Sequence, residues 1–109
     1  ILINSLPSEY YAKSHIPCSY NLPHKNIKKM TQEEVMKWIE DVVKMNYSIL
    51  HKKLQKKQIN IYELPIIVYC AHSGCNSSDI AAKELLKKGF VNISEFKGGM
   101  KEYMKHMSS

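Results

Sequence analysis

Two thiols and an imidazole fall within one short polar stretch, Cys70-Ala71-His72-Ser73-Gly74-Cys75-Asn76-Ser77-Ser78. A cysteine reacts as its thiolate, and successive backbone amides or the positive end of a helix lower its pKa from about 8.5 toward neutrality. This stretch is small and flexible enough to curl its amides inward, and the helix beginning near Ser78 adds its N-terminus to the same place. Cys70 is therefore the expected nucleophile, with residues 71 to 78 as an anion-holding loop. The plain alternative is a buried core thiol, because free cysteine is among the most buried residue types. Cys75 follows as a candidate resolving thiol able to displace sulfur from Cys70 or close a disulfide with it; its alternative is a loop residue selected for size. His72 is either a proton shuttle or an incidental loop histidine. Ser73, Ser77 and Ser78 are read as hydrogen-bond donors around the loop or as helix caps, and Asp79 as an offset to the helix field. Cys18, Cys70, His72 and Cys75 match no common zinc spacing, so no metal is expected, and the chemistry of a stabilised sulfur anion calls for no organic cofactor.

The elements around the stretch explain why it would be held in place. Pro65-Ile66-Ile67-Val68-Tyr69 is rich in β-branched residues and free of charge, which predicts a central strand buried on both faces of a parallel sheet and ending at Cys70. Ser78 to Lys88 reads as a helix stopped by Gly89. In open α/β sheets, ligands bind beyond the carboxyl ends of strands, where this loop falls. Ile1 to Ile3 and Ser19 to Pro23 read as short extended segments, and Glu9 to Lys13 as one helical turn. Thr31-Gln32-Glu33-Glu34 is a capping box opening a helix whose Val35, Trp38, Ile39, Val42 and Val43 share one face. Ile49, Leu50 and Leu54 mark a second, weaker helix; Phe90 to Phe96 resembles a last strand, and Met100 to Met107 a closing helix. Strands alternating with helices give an α/β fold on a mostly parallel sheet with helices on both faces.

The chain has 109 residues, enough for one modest core, so one domain over residues 1–109 is expected. Because Ile1-Leu2-Ile3 reads as a buried strand entered without a lead-in, a preceding strand and helix are expected to lie outside this sequence. The net charge of +6 comes from sixteen lysines and no arginine. No aromatic residues alternate with the lysine pairs, so a solvated basic face is expected and nucleic acid is not an expected partner. Three cysteines without a signal peptide favour free thiols and a cytoplasmic location. No apolar run approaches the roughly 18 residues needed to cross a bilayer, so no membrane association is expected.

Three motifs in order resemble the rhodanese-like sulfurtransferase family. His15-Ile16-Pro17-Cys18-Ser19-Tyr20-Asn21-Leu22-Pro23 is similar to the family's H-I-P-G-A-x-N-I-P. Val68-Tyr69-Cys70, with Ala81-Ala82, Leu85 and Gly89-Phe90, looks like its active-site strand, loop and helix. Phe96-Lys97-Gly98-Gly99-Met100 resembles its closing G-G motif, with Tyr103 at an aromatic position. The resemblance implies sulfur transfer: Cys70 takes sulfane sulfur from a small donor such as thiosulfate or a persulfide, holds it as a persulfide, and passes it to cyanide or a thiol, including a protein thiol. The match is to a variant with a longer loop and a second cysteine, here Cys75 followed by Ser78. Ile3-Asn4-Ser5-Leu6 stands where the family often shows L-I-D-V-R, and Cys18 replaces a common glycine, where a buried thiol is expected.

Two other readings compete. A cysteine-dependent phosphatase or arsenate reductase resembles H-C-x5-R at the loop and clamps its oxyanion with a bidentate arginine. Here Tyr69 precedes the cysteine, Asn76 stands downstream, and the chain has no arginine at all. The second is a non-catalytic rhodanese-like module that binds a partner or regulates an attached domain. It draws on the loss of the family's Asp and Arg.

Overall fold

The computed structural model describes residues 1–107. Its sheet has four strands, β1 (Leu2–Asn4), β2 (Ser19–Asn21), β3 (Ile66–Tyr69) and β4 (Ile93–Phe96), in the order β2-β1-β3-β4. Every pairing is parallel, with Ile3 beside Tyr20 and Val68, and Val68 beside Glu95. Six helices flank the sheet: α1 (Ser8–Lys13), α2 (His24–Lys29), α3 (Gln32–Asn46), α4 (Ser48–Gln55), α5 (Ser77–Lys87) and α6 (Gly99–Met107). The architecture is α/β, as the alternation of periods predicts.

Strand periodicity assigns the two faces. Ile3, Ile66 and Val68 point into a core closed by Ile27 of α2, Val35, Ile39 and Val43 of α3, Ala81 and Leu85 of α5, and Phe90. The capping box forms as predicted: Glu34 N donates to Thr31 Oγ1 at 3.1 Å and Thr31 N to Glu34 Oε1 at 2.9 Å. This fixes the start of α3, a stabilisation of about 1 kcal/mol.

Two expectations need correction. The central strand is not buried on both faces, because Ile67 is 41% exposed while its neighbours on either side are covered. On that face Leu2 is half-buried beside Ile67, and Tyr69 at the strand's end is fully covered. Cys18 is not buried: it is exposed, with φ +67°, in the turn where Ser19 N donates to Ile16 O at 3.1 Å. The backbone here needs the left-handed region that glycine adopts freely, and the turn sends the side chain outward.

Candidate functional site

The far end of β3 is held by a polar cluster on the face opposite the core. The Tyr69 hydroxyl accepts from Asn4 Nδ2 at 3.1 Å and from Ile16 N at 3.0 Å, and lies 2.7 Å from Ser19 Oγ. Tyr11 Oη closes the ring by donating to Ser19 O at 2.7 Å. On the main chain, Ser5 N and Ser5 Oγ both donate to Tyr69 O, at 3.0 and 2.9 Å. Asn4 and Ser5, in the segment that lacks the usual aspartate and arginine, thus brace the strand end by uncharged hydrogen bonds.

Cys70 follows Tyr69 directly and is fully buried. Its own carbonyl accepts from Met100 N at 2.9 Å, and the Ala71 carbonyl accepts from Lys101 N at 2.8 Å, so the first turn of α6 clamps the start of the loop. That approach depends on Gly99: its φ is +59°, and a Cβ there would run into the Cys70 carbonyl. The G-G motif is therefore a close-packing device at the carboxyl end of the strand.

The loop folds over its own cysteine. Cys70 Sγ lies 3.6 Å from His72 O, 3.5 Å from Cys75 O and 3.6 Å from Ser78 Oγ. The sulfur faces polar groups and not a packed apolar wall, yet two of the nearest are carbonyl oxygens, to which only a thiol can donate. This differs from the expected ring of inward amides. Burial pushes the Cys70 thiol up, interaction with Cys75 adds to that, and the hydroxyl and amide of Ser78 favour the anion without offsetting it.

Cys75 has the opposite balance. Burial acts to raise it, but the Ser77 hydroxyl, the Cys70 thiol and the amides of Ser77 and Ala71 overcome this and leave it below the ordinary thiol value. Its Sγ lies 3.4 Å from Ser77 Oγ, and the residue is half-buried. The anion-favouring amides that were expected around Cys70 gather here in part around Cys75, a distribution that spacing along the chain does not reveal.

The remaining loop residues divide clearly. Ser77 and Ser78 are buried and each meets a sulfur, whereas Ser73 and Asn76 are exposed, and Asn76 stands at the start of α5 without a side-chain cap. His72 is exposed; its Nδ1 accepts from Gly74 N at 3.0 Å and so shapes the loop instead of facing Cys70. Glu95 is not among the site residues expected from the sequence; it sits beside Val68 in register, and its Oε1 is buried with no hydrogen-bond partner. A lone acidic residue inside an otherwise uncharged strand was the available signal.

A β3–loop–α5 turn with a cysteine at its start defines the class of fold, and comparison with known proteins gives the family. The family model described as "Rhodanese-like domain" matches residues 2–106, and the chain belongs to that family. The Saccharomyces cerevisiae protein named adenylyltransferase and sulfurtransferase UBA4 is 28% identical over 106 residues, covering 95% of this chain. The chain spans only 20% of that relative's length. Among solved structures, the BH2092 protein from Bacillus halodurans superposes with a TM-score of 0.65 at 24% identity, over 98% of this chain and 59% of that one. A human single-domain sulfurtransferase, TSTD1, gives 0.56 at 16% identity, over 95% and 80%. These two likenesses establish the shared fold. Among the described residues, no helix is long and apolar enough to cross a membrane.

Proposed function

We infer that the domain is a sulfurtransferase in which Cys70 carries sulfane sulfur as a persulfide. The observation that supports this most is the position of Cys70, at the carboxyl end of the central strand and between that strand and the start of α5, in a chain of the rhodanese-like family. Cys70 thiolate attacks the outer sulfur of a donor such as thiosulfate or a small persulfide. The sulfur–sulfur bond of the donor breaks, sulfite or a thiolate leaves, and Cys70-S-S⁻ remains. A thiol or cyanide then takes the outer sulfur, which regenerates the Cys70 thiolate. A protein thiol is an acceptor of the same chemistry, and no metal or organic cofactor takes part.

Loading requires the loop to open. The outer sulfur needs the space now bordered by the His72 and Cys75 carbonyls, and turning those peptides over would present amides to it in their place. Cys75, with its lowered pKa and partial exposure, acts as the resolving thiol. Attack of its thiolate on the inner sulfur of Cys70-S-SH forms the Cys70–Cys75 disulfide and releases hydrosulfide, and an external dithiol then reduces the disulfide.

The decisive experiment is intact-mass measurement after exposure to thiosulfate or polysulfide. A gain of one sulfur, removed by cyanide and absent in Cys70→Ser, is the expected result. A Cys70 that takes no sulfur under either donor would leave a binding module as the reading.

A further inference from the structure

A cavity of about 390 Å³ lies at the β2 edge of the sheet, where α1 and α3 meet that strand, and no residue of the Cys70–Ser78 loop lines it. Its volume falls at the small end of the range for ligand pockets, roughly 300–1,000 Å³. Tyr11 of α1, Tyr20 of β2 and Trp38 of α3 supply three aromatic rings to its wall, and Asp41 of α3 is the only charged residue there. The composition follows from how α3 divides its faces. Val35, Ile39 and Val43 are fully buried and form the stripe that meets the core. Trp38, Val42 and Met45 make a second row at helical spacing, in which Trp38 and Val42 are half-buried and Met45 is 82% exposed. The core leaves this second row partly open, and it forms one wall of the cavity.

Hydrogen bonding decides the sign of the ligand. Tyr11 Oη donates to Ser19 O at 2.7 Å, Tyr20 Oη to Tyr47 Oη at 3.3 Å, and Asn21 Nδ2 to both Asn4 O and Leu6 O, at 3.2 and 2.8 Å. Asn46 Nδ2 donates to Val42 O at 2.9 Å. Most of the donors at the wall are thus spent on the protein, and the Trp38 indole N–H with one Asn46 hydrogen is what remains. The acceptors are unspent. Among the described residues Asp41 makes no ion pair, although Lys37 and Lys44 share its helix, and the side-chain carbonyls of Asn21 and Asn46 receive no hydrogen bond. An anion would find few donors here and would meet a carboxylate.

We propose that this cavity binds an organic cation by its methylated ammonium head, held by the rings of Tyr11, Tyr20 and Trp38 and by the Asp41 carboxylate. Aromatic faces carry the negative part of the ring quadrupole and attract cations, tryptophan most strongly. One face of Tyr11 is stacked on His15, with centroids 3.9 Å apart, so the opposite face is the one left to a ligand. A methylated head fits better than a bare ammonium, which is strongly hydrated, because Val42 and Met45 offer its methyl groups apolar contact. The chain's charge of +6 opposes any cation at long range, but salt screens that repulsion beyond about 10 Å at 0.1 M, and Asp41 stands at the cavity itself.

Trp38 is the only tryptophan in the chain, so its emission reports this cavity directly. Titration of the full chain with tetramethylammonium or choline at constant ionic strength should give a saturable change in that emission. The neutral alcohol in which carbon replaces the choline nitrogen should give none. Asp41→Asn, an exposed substitution that leaves the rings in place, should weaken choline binding about tenfold, the loss expected for one charge at a partly desolvated site. Asp41→Glu keeps the charge and should bind as the wild type does, which separates loss of the carboxylate from damage to the helix. The Met45 methyl resonance gives a second readout that does not depend on emission. A response to the neutral alcohol equal to that for choline overturns the proposal, as does wild-type affinity in Asp41→Asn. Silence in both Trp38 emission and the Met45 resonance also overturns it. A trimethyllysine peptide compared with choline identifies the source of the head: tighter peptide binding assigns it to a protein side chain, tighter choline binding to a free small molecule, and either result supports the cation site. None of these readouts involves Cys70, so they stand or fall apart from sulfur transfer.

Discussion

Ser5 grips Tyr69 twice, its amide at 3.0 Å and its hydroxyl at 2.9 Å from the same carbonyl oxygen, one residue before Cys70. The carbonyl has two lone pairs and both are used. Ser5→Ala removes one of the two bonds in a buried setting and is expected to cost about 1 kcal/mol, read as a lower urea midpoint at unchanged slope.

The hydroxyl of Tyr69 offers a sharper test. Tyr69→Phe keeps the ring but strands Asn4 Nδ2 and Ile16 N around a missing oxygen, while Ser19 Oγ keeps its bond to Ile16 O. The expected loss is about 1–3 kcal/mol in urea unfolding, because buried polar groups left unpaired pay their desolvation. An unchanged midpoint would show that water or rearranged partners replace the hydroxyl.

Gly99→Ala meets two obstacles, a left-handed backbone and the Cys70 carbonyl. The backbone alone costs about 1–2 kcal/mol, and relief of the overlap must displace either α6 or the loop. Lower stability together with slower sulfur loading of Cys70 is expected. Full stability with normal loading would contradict the close approach.

Mild oxidation of the folded protein is expected to give a Cys70–Cys75 disulfide, seen as the loss of two hydrogens in intact mass and as a linked peptide after digestion. Iodoacetamide at neutral pH should reach Cys75 ahead of Cys70, since Cys75 is the more exposed of the two and holds the lower pKa. A disulfide that instead engages Cys18 would rule out the resolving role.

Glu95 makes stability depend on pH with a definite sign. Its carboxyl is raised in the folded state, so its contribution is fully present below the ordinary carboxylate value of about 4.3 and is lost as pH rises through the higher folded value. Glu95→Gln should therefore be more stable than the wild type at neutral pH, with the gap narrowing as pH falls from the raised folded value and closed below the ordinary one. Urea midpoints for the two proteins over a pH series measure this directly, and a gap independent of pH would refute it.

Much of the framework was readable from local chemistry. The charge-free run ending at Tyr69, the capping box at Thr31 and the helix stopped near Gly89 each carry their own signal, and each forms within a residue or two of its expected bounds. Helix α2 was missed: Pro23 reads as the end of an extended segment, yet it also stands at the N-cap of His24–Lys29, where its fixed φ suits a helix start. The single buried Ile27 among lysines gives too little periodicity to mark that helix. At the site, the place of Cys70 was legible because strand ends are set by sequence. The direction of each loop peptide was not, since Ala71 to Asn76 have no hydrophobic pattern to orient them, and the carbonyls of His72 and Cys75 turn inward. Nor was the burial of Glu95 Oε1, which depends on how β4 and α5 meet across the fold.

The two amides of Met100 and Lys101 hold the main chain on either side of the bond between Cys70 and Ala71. Cys70 is thereby tethered to the last helix as well as to its own strand. Any displacement of that helix would therefore act directly on the backbone of the two residues that begin the loop, Cys70 and Ala71.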